Sequence, residues 1–262
     1  MRVGMIGLGA IGGAVLDAAR AGRLGEGVDL VRVLVRRPRP EEPLATADPA
    51  AFLAARPEVV LEAAGHEALR RHAVPCLEAG ADLVLTSAGA LVDDAFRLAL
   101  ERAAARAGRR IVVASAGIGA LDILGAAAVG GLARVRVTVR KDPSAWWGTP
   151  AERMVDLSSL REPAVVYEGP VREGARLYPQ NVNIAAAAAL AGAGLDATEL
   201  VIVADPTIRE HRVEIEAEGA FGRFRFEEAI RPSAENPKTG VLVAMAVVKS
   251  LRRLAAPLVV GD

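Results

Sequence analysis

The earliest residues whose types and spacing indicate chemistry are three glycines near the start of the chain. Gly7, Gly9 and Gly12 form a GxGxxG pattern between a short apolar run and a helical run. The first glycine of such a turn permits the bend, the second lets the backbone approach a diphosphate, and the third lets helix and strand pack closely. The free N–H groups of the helix start, at Ala10 and Ile11, then receive the diphosphate. The pattern predicts a dinucleotide site; the alternative is a glycine-rich turn that holds no ligand.

Two arginines follow the second predicted strand, at the point where a dinucleotide site contacts the adenosine ribose. A carboxylate there would bind the 2′-hydroxyl of NAD, but the chain has Arg36 and Arg37 instead. Guanidinium groups suit the 2′-phosphate of NADP. We therefore predict that NADP is accepted, alongside NAD, unless both arginines are only solvated surface charges.

Two further loops are expected to line the same crevice, because they follow the third and fourth predicted strands. Gly65 and His66 come after residues 59–61, and Ser87 comes after residues 83–86. His66 is predicted either to face the nicotinamide ribose or to cap the helix that follows it. All three residues are candidate cofactor contacts.

A parallel sheet is needed to position these loops, and the first 120 residues have the pattern of one. Short β-branched runs alternate there with Ala-, Leu- and Arg-rich helical runs. Such alternation predicts a Rossmann domain, a doubly wound parallel sheet with helices on both faces. The predicted strands are residues 2–6, 30–35, 59–61, 83–86 and 110–113, and the predicted helices are 11–21, 50–55, 68–79 and 93–107.

The second part of the chain has several strands in succession, which predicts a smaller α/β domain with a mixed or antiparallel sheet. We predict a dinucleotide-binding domain, 1–120, and a substrate and dimerisation domain, 121–262. A last helix, predicted to open at Pro237 and to cover about 237–256, is expected in the second domain or packed back on the first. The predicted strands of this part are 135–140, 164–168, 199–204, 211–218 and 223–229, and the other predicted helices are 123–129 and 181–193.

Composition limits the classes of partner. The formal net charge is zero, which gives no basic excess for nucleic acid. No stretch has the roughly 18 uncharged apolar residues that a membrane span needs. The single cysteine, Cys76, excludes an internal disulfide, and the three histidines are not spaced as metal ligands. We expect a soluble cytoplasmic protein with a small-molecule substrate and with no nucleic-acid, membrane or metal partner.

Several motifs beyond the glycine-rich turn occur in a fixed order along the chain. Two are specific, Tyr-Pro-Gln-Asn-Val-Asn at 178–183 and Asn-Pro-Lys-Thr at 236–239. The others are Glu-Ala-Ala-Gly-His at 62–66, Ser-Ala-Gly-Ala-Leu at 87–91, Gly-Ile-Gly-Ala-Leu-Asp at 117–122, Trp-Gly-Thr-Pro at 147–150, Ala-Asp-Pro at 204–206 and Gly-Ala-Phe-Gly at 219–222. With these motifs the chain resembles the L-aspartate dehydrogenase family over nearly its whole length.

The resemblance implies oxidation of L-aspartate at Cα, with NAD or NADP as the hydride acceptor. The first product is iminoaspartate, which is hydrolysed to oxaloacetate and ammonia or passed on to NAD synthesis. The resemblance also implies a homodimer, and a Rossmann domain joined to a mixed α/β domain.

The family's cofactor contacts map onto Gly117 and Asn183, and the local chemistry agrees. Gly117 ends the last Rossmann strand, where a glycine allows close backbone approach to a ligand. Asn181 and Asn183 precede an Ala-rich helix, so each is either a ligand contact or a helix cap. Lys238 opens the last helix, where a cation opposes the helix dipole. Asn181 and Lys238 are the candidate substrate contacts, unless Lys238 is simply an exposed lysine.

The chain departs from the family at the catalytic histidine. The family's His lies in an Asn-x-His segment, six residues before the first Gly of Gly-x-Phe-Gly, and counting back from Gly219 gives Val213. His211 stands two residues earlier, on the same face of a strand and about 6.5 Å away. A bulge, or a gap upstream, would make it equivalent. We predict His211 as the proton-transfer residue, with His66 or Lys238 as the alternative.

Two other functions stay open from the sequence. One is a related Rossmann reductase of another imine or carbonyl, such as a dihydrodipicolinate-type reductase, although the paired-His segment of those enzymes is absent. The other is a cofactor-binding relative without turnover, a hypothesis that Val213 supports.

Overall fold

The computed structural model describes residues 1–115, 117–179, 181–234, 236 and 239–261, which form two compact units. Unit 1 contains Met1–Ala114 together with Val243–Val260, and unit 2 contains Ser115–Leu242. That one domain binds the dinucleotide and the other the substrate stays a prediction.

The strands and helices are numbered in chain order. The strands are β1 Arg2–Ile6, β2 Asp29–Leu34, β3 Ala45–Thr46, β4 Val59–Glu62, β5 Asp82–Leu85, β6 Ile111–Val113, β7 Leu132–Lys141, β8 Ala164–Pro170, β9 Thr198–Ala204, β10 His211–Gly219 and β11 Gly222–Ile230. The helices are α1 Ala10–Arg20, α2 Pro49–Ala54, α3 His66–Glu78, α4 Asp94–Ala107, α5 Leu121–Val129, α6 Val171–Leu177, α7 Asn183–Ala191 and α8 Leu242–Ala255. Short 3-10 turns add Ala88–Val92, Pro143–Trp146 and Pro150–Arg153.

The sheet of unit 1 is parallel throughout and has the strand order β3-β2-β1-β4-β5-β6. This is the Rossmann order, and it confirms the fold predicted for the first part of the chain. After β1 the chain adds β2 and β3 on one side of β1, and it then crosses over to add β4 on the other side. A ligand crevice is expected outside the carboxyl ends of the strands at that reversal.

Side chains and glycines set the ends of the helices in unit 1. The carboxylate of Asp48 accepts a hydrogen bond from the N–H of Ala50 at 2.8 Å, where α2 begins. Asp93 accepts one from the N–H of Phe96 at 3.2 Å, where α4 begins. Gly108 ends α4 in the left-handed conformation, with φ 62°. These are the residue types that satisfy free backbone groups at helix ends.

Helix α8 comes from the far end of the chain and packs in unit 1. Its Val247 and Leu251 are fully buried in the apolar cluster that contains Val3 and Val15. Burial of such side chains stabilises a fold by about 1.5–3 kcal/mol each. The core of the Rossmann sheet therefore depends on a segment more than 240 residues away from β1 along the chain.

The prediction that this last helix covers about 237–256 is wrong at its start, because residues 239–241 are not helical and the helix begins at Leu242. The N–H of Thr239 donates to the carbonyl of Asn236 at 2.9 Å, and Gly240 forms a β-bridge with Pro232. These bonds hold the backbone out of helical geometry before Leu242. Residues 237 and 238, which the same prediction includes, lie outside the described residues.

Unit 2 is built on a mixed sheet with the order β11-β10-β7-β9-β8. Strands β7 and β9 run parallel, and the other neighbouring pairs run antiparallel. Helices α6 and α7 contact the strands β7, β8 and β9. The architecture confirms the predicted α/β unit with a mixed sheet. Helix α6, which has seven residues, was not among the predicted helices.

We expect opposite effects from adding one methyl group at each of two adjacent glycines in α1. A Cβ on Gly12 would lie 2.3 Å from the carbonyl oxygen of Gly7, whereas one on Gly13 would meet nothing within 4 Å. Gly12→Ala should lower the free energy of unfolding by about 1–3 kcal/mol, because the helix must move off the turn. Gly13→Ala should raise it by up to about 1 kcal/mol, since alanine favours helices.

Thermal and urea unfolding of both variants measure the difference. Equal effects of the two substitutions would contradict the close contact between the turn and α1.

Candidate active site

The glycine-rich turn after β1 has room for a ligand but not for side chains. Gly7 has φ +102°, and a Cβ there would lie 2.7 Å from the carbonyl oxygen of Ala63. Gly9 is the N-cap of α1, and no side chain caps the helix there. A Cβ on Gly9 would meet no described atom within 4 Å. The start of α1, at Ala10 and Ile11, therefore faces open space that a diphosphate fits.

A groove of about 600 Å³ lies beside this turn. Its size is that of a small-molecule site. It brings together the glycine-rich turn and the two arginines that follow β2, as the sequence predicted. Its lining comprises Ile6, Gly7, Leu8, Gly9, Leu34, Val35, Arg36, Arg37, Arg39, Ala47, Pro49, Ala63, Ala64, Glu67, Ala68, Arg71 and His72.

The charges on this groove are mainly positive. Arg36, Arg37 and Arg39 line it from the segment after β2, and Arg71 lines it from α3. The carboxylate in the lining, Glu67, is held by the guanidinium of Arg71 at 2.8 Å. No carboxylate in the lining therefore takes the usual place for a ribose 2′-hydroxyl at the end of the second strand. The groove fits a dinucleotide, and its rim suits a phosphate on the adenosine ribose.

A buried glutamate that the sequence analysis did not single out joins two loops of this site. The carboxylate of Glu62 accepts hydrogen bonds from the N–H groups of Ala64 and Gly65, both at 2.7 Å. It also accepts from Ser87, through the hydroxyl at 3.0 Å and the N–H at 3.2 Å. Gly65, not His66, is the N-cap of α3, so His66 does not take the capping position. The sequence feature that could have indicated this role is a glutamate at the end of an apolar strand.

The remaining cofactor and substrate candidates belong to unit 2. Gly117 is buried, and Asn183 is the first residue of α7. The N-cap of α7 is Val182 and no side chain caps the helix, so the capping alternative for Asn181 and Asn183 is wrong. Asn181 is buried, and its Oδ1 has no hydrogen-bond partner among the described residues. Lys238, the other substrate candidate, lies outside the described residues.

Alternating residues of three strands share one face of the sheet in unit 2, which we call the inner face. It is buried on β7 and β10 and mostly half-buried on β11. Directly paired residues of antiparallel strands point to the same side. Val213 pairs with Val139 on β7 and with Glu228 on β11. The inner face comprises Val135, Val137, Val139 and Lys141 of β7, His211, Val213, Ile215 and Ala217 of β10, and Phe224, Phe226, Glu228 and Ile230 of β11.

Three ionisable side chains lie at one end of this inner face. Lys141 and His211 are 4% and 7% exposed. Arg212 on β10 pairs with Arg140 on β7 in an antiparallel ladder. The next residues in that register are His211 and Lys141, which therefore lie opposite each other. Glu228 lies on the adjacent strand. The sequence contained the signal for Lys141 and Glu228, since each occupies an apolar position of an alternating strand.

The pairing of β10 with β11 shows where His211 lies relative to Val213. Val213 is fully buried, and its pairing with β11 is regular from His211 to Gly219. This ladder therefore has no bulge that would carry His211 to the place of Val213, and equivalence through an upstream gap stays a prediction. His211 stays one inward-facing position away, at the end of the strand beside Lys141.

An aromatic cluster backs the buried lysine. The Nζ of Lys141 lies 5.7 Å from the ring centroid of Trp146 and 3.4 Å from the carbonyl oxygen of Asn181. Trp146 packs edge-on against Tyr178 with centroids 5.9 Å apart, and the Tyr178 hydroxyl donates to the carbonyl of Val166 at 2.9 Å. The Tyr-Pro motif thus supplies a wall that positions Lys141 and the segment before α7.

Glu228 is a carboxyl group in an apolar setting. Its Oε1 is buried and has no hydrogen-bond partner among the described residues. Burial raises the pKa of Glu228 to about 7. A carboxyl with such a pKa can exchange a proton near neutral pH.

Comparison with known proteins decides the family. The sequence profile described as "Aspartate dehydrogenase, C-terminal" matches residues 122–254. A protein named L-aspartate dehydrogenase from Ralstonia nicotianae is 42% identical over 260 residues, which cover 96% of each chain. The chain belongs to the aspartate dehydrogenase family. A second member, from Ruegeria pomeroyi, is 41% identical over 98% of this chain and 93% of its own length. The profile "Homoserine dehydrogenase, NAD binding domain" matches residues 7–114.

Solved structures share the fold. An aspartate dehydrogenase from Thermotoga maritima superposes with a TM-score of 0.77 at 23% identity and covers 100% of this chain and 99% of its own. A dihydrodipicolinate reductase from Paenisporosarcina sp. TG-14 superposes with a TM-score of 0.56 at 16% identity over 97% of this chain and 94% of its own. At such identities the likeness shows the fold alone, so the second match does not favour the reductase alternative.

The described residues provide neither a membrane-spanning helix nor a metal-binding cluster. None of their helices is long and apolar enough to cross a membrane. The same residues contain no group of three or more His, Cys, Asp or Glu placed to hold a metal ion. Burial raises the pKa of the Cys76 thiol to about 12, so this cysteine stays protonated at neutral pH.

We expect the melting temperature of Glu228→Gln, relative to that of the wild type, to increase as the pH rises. The pKa of Glu228 is raised from an ordinary 4.5 to about 7 in the folded chain, so folding favours the protonated form. The wild type therefore loses stability between about pH 4.5 and pH 7, as the unfolded chain and then the folded chain ionise. The glutamine variant lacks this loss.

Melting temperatures of both proteins at pH 5 and pH 8 test this. Glu227→Gln is the matched control, since Glu227 is exposed and points to the opposite side of β11. A difference in melting temperature that does not grow with pH would contradict the buried position of the Glu228 carboxyl.

Proposed function

We propose that this chain is an NAD(P)-dependent L-aspartate dehydrogenase. It converts L-aspartate, water and NAD(P)⁺ into oxaloacetate, ammonium, NAD(P)H and a proton, and it also catalyses the reverse amination. The observation that carries this proposal is the 42% identity to a protein of that name over 96% of both chains. The specific substrate, and a supply of iminoaspartate to NAD biosynthesis, are carried over from the family.

The cofactor site is assigned to the residues that fit a dinucleotide. Gly7, Gly9 and Gly12 leave room for the diphosphate, and the backbone at Ala10 and Ile11 donates to it. Arg36 and Arg37 face the adenosine ribose. The loops with Gly65, His66 and Ser87 are assigned to the nicotinamide side. Gly117 and Asn183 of unit 2 stay predicted cofactor contacts, carried over from the family resemblance. When bound, the oxidised nicotinamide supplies the acceptor for the hydride from Cα.

The reaction needs two proton transfers from the protein. The substrate ammonium must lose a proton before its nitrogen can form a double bond to Cα, and a water must then be activated to attack the imine. His211 is the candidate for this work, since an imidazole exchanges protons near neutral pH. His211 lies at the end of β10 beside Lys141, at the end of the inner face that carries ionisable side chains.

The substrate is a dicarboxylate, and unit 2 offers buried groups that suit it. Lys141 is a cation that is 4% exposed. A carboxylate bound beside Lys141 would offset the cost of burying that charge. The unsatisfied Oδ1 of Asn181 can accept a hydrogen bond from the substrate ammonium. Lys238 remains a prediction for a second carboxylate contact.

The oligomeric state and the location complete the proposal. A homodimer that works in the cytoplasm is expected from the family resemblance, and that resemblance supports both statements. The buried, protonated thiol of Cys76 is compatible with a reducing compartment.

We expect the purified protein to form NAD(P)H from L-aspartate at mildly alkaline pH, and not from L-glutamate or L-alanine. His211→Ala should lower kcat by about 100- to 10,000-fold, because a general acid–base group contributes that much. Arg212→Ala is the matched control, since Arg212 is the exposed neighbour that faces away from the inner face.

Absorbance at the reduced-nicotinamide band measures turnover. Full activity in His211→Ala would remove that residue from proton transfer and leave the function intact. Cofactor binding by the wild type without turnover of L-aspartate would instead support the cofactor-binding relative.

We expect the double variant Arg36→Ala/Arg37→Ala to discriminate between the two cofactors. Its KM for NADP should rise at least about tenfold, because charge-assisted hydrogen bonds to the 2′-phosphate are lost. Its KM for NAD should stay nearly unchanged. Arg109→Ala, an exposed arginine outside the groove lining, controls for net charge. An equal change for NAD and NADP would show that both arginines are only surface charges.

A further inference from the structure

We propose that Glu228 is a further catalytic residue of the dehydrogenase, whose carboxylate contacts the substrate and takes the proton from its ammonium group. The inference rests on the proposed function and deepens it. It assigns the first proton transfer to Glu228 and leaves the activation of water to His211.

Position is the first reason. The family's histidine falls, by count, on Val213, and Val213 pairs directly with Glu228 across the antiparallel ladder. Paired residues have Cβ atoms only about 4.5–5.5 Å apart and share a face. His211 is about 6.5–7 Å further along its own strand. The carboxyl of Glu228 is therefore the nearer ionisable group to the place where the family has its histidine.

The unsatisfied carboxyl oxygen is the second reason. Glu62 and Asp205, which are more deeply buried than Glu228, are fully engaged by protein groups. Glu62 accepts from Ala64, Gly65 and Ser87. Asp205 accepts from Arg140 at 2.9 Å and from the Thr207 hydroxyl at 2.6 Å. A buried polar atom without such a partner costs stability, and that exception needs a functional explanation.

The partners of Asp205 act on its acidity as well. Burial tends to raise the pKa of Asp205, but the hydrogen bonds from Thr207 and Arg140 outweigh it and lower that pKa. A structural carboxylate is thus kept ionised by its partners. Glu228 has burial alone as the cause of its shift. At neutral pH it is therefore present in both the protonated and the ionised form, as a general base requires.

The surroundings of Glu228 on the inner face hold few charges. His211 on β10 and Lys141 on β7 are the titratable groups that share its end of the face. The inward-facing residues on either side of Glu228 in β11 are Phe226 and Ile230. A Cβ added to Gly119 would lie 3.0 Å from the ring of Phe226, and one added to Gly240 would lie 2.7 Å from the side chain of Ile230. The segment Gly117–Ala120 carries no titratable side chain among its described residues.

The charged side chains of the two strands otherwise face away. Arg212 and Glu214 of β10, and Arg225 and Glu227 of β11, alternate with the inner-face residues and therefore point to the opposite side. Arg225 is engaged there with Glu214 and Glu227. None of these groups faces the Glu228 carboxyl.

The proposed step is balanced as follows. The Glu228 carboxylate takes H⁺ from the ammonium of L-aspartate, which frees the nitrogen lone pair. That lone pair forms the C=N bond as hydride leaves Cα with its electron pair, for which an oxidised nicotinamide, when bound, would supply the acceptor. Glu228, now a neutral carboxylic acid, returns its proton to solvent, which accounts for the proton released in the overall reaction.

We expect Glu228→Gln to lower kcat for L-aspartate oxidation by about 100-fold or more at pH 8. Glu228→Asp, which keeps the carboxyl on a shorter arm, should retain part of the activity. Glu227→Gln should stay within about twofold of the wild type, since that side chain faces away. NADPH fluorescence should show cofactor binding unchanged in all three variants.

Two readouts separate catalysis from a structural role. In the wild type kcat/KM should rise with pH through about pH 7, where Glu228 ionises, and Glu228→Gln should lose that rise. Formate should restore turnover to Glu228→Ala, because a small carboxylate can occupy the place of the deleted side chain. Stopped-flow measurement of the first turnover should show that hydride transfer itself is slowed in Glu228→Gln.

The outcomes distinguish this inference from the function beneath it. An active wild type, together with a folded Glu228→Gln variant that keeps its kcat within about threefold, would overturn the inference and leave the dehydrogenase intact. A wild type that oxidises L-aspartate with neither cofactor would overturn the proposed function and the inference with it. If Glu228→Gln fails to fold, the formate rescue of Glu228→Ala and the activity of Glu228→Asp decide.

Discussion

The contact between Gly7 and Gly12 is the constraint on which the dinucleotide site depends. The carbonyl oxygen of Gly7 lies where a Cβ of Gly12 would be, and Gly7 itself touches the loop after β4. Strand β1, helix α1 and that loop can meet only because no side chain stands between them. As a result, the start of α1 lies beside the groove that Arg36 and Arg37 also line. Glu62 then ties the loops after β4 and β5 together, so several segments of the site are held by one carboxylate and one backbone contact.

A different constraint governs unit 2, where the pleat of the sheet decides which side chains are buried. Lys141, His211 and Glu228 occupy positions that alternation assigns to the apolar face. A protein that needed only a core would place aliphatic residues there, since burial of ionisable groups costs free energy. Their presence at one end of the face supports the proposal that this unit does its chemistry there. Val213, which pairs with Glu228 near the same end of the ladder, is the position on which the family's histidine falls by count.

The two kinds of buried carboxyl group in this chain illustrate how stability and activity oppose each other. Glu62 and Asp205 are supplied with donors and hold loops in place. Glu228 has burial without donors, which weakens the fold and makes the group basic enough to take a proton. A site residue can be recognised by such an unbalanced environment, because selection for stability alone would remove it.

Much of the molecule was determined by the sequence itself. The strand–helix alternation, the GxGxxG turn and the helix caps are local patterns, and they predicted the Rossmann sheet, the mixed second sheet and the dinucleotide groove with Arg36 and Arg37. The family motifs predicted the relationship that the profile and the relatives confirm. The last helix was predicted to begin too early, since a β-bridge between Gly240 and Pro232 fixes the backbone before Leu242.

Only the tertiary structure decided which distant residues meet. Glu228 opposes Val213, and Lys141 comes beside His211, because the register of β7, β10 and β11 depends on how three separated segments pair. The burial of Glu228, and with it the raised pKa, depends on residues such as Gly119 and Gly240 that pack over its strand. Helix α8 joins the core of a sheet that begins at the other end of the chain. None of these contacts can be inferred from local sequence, because their free energy comes from surfaces that exist only after the chain has folded.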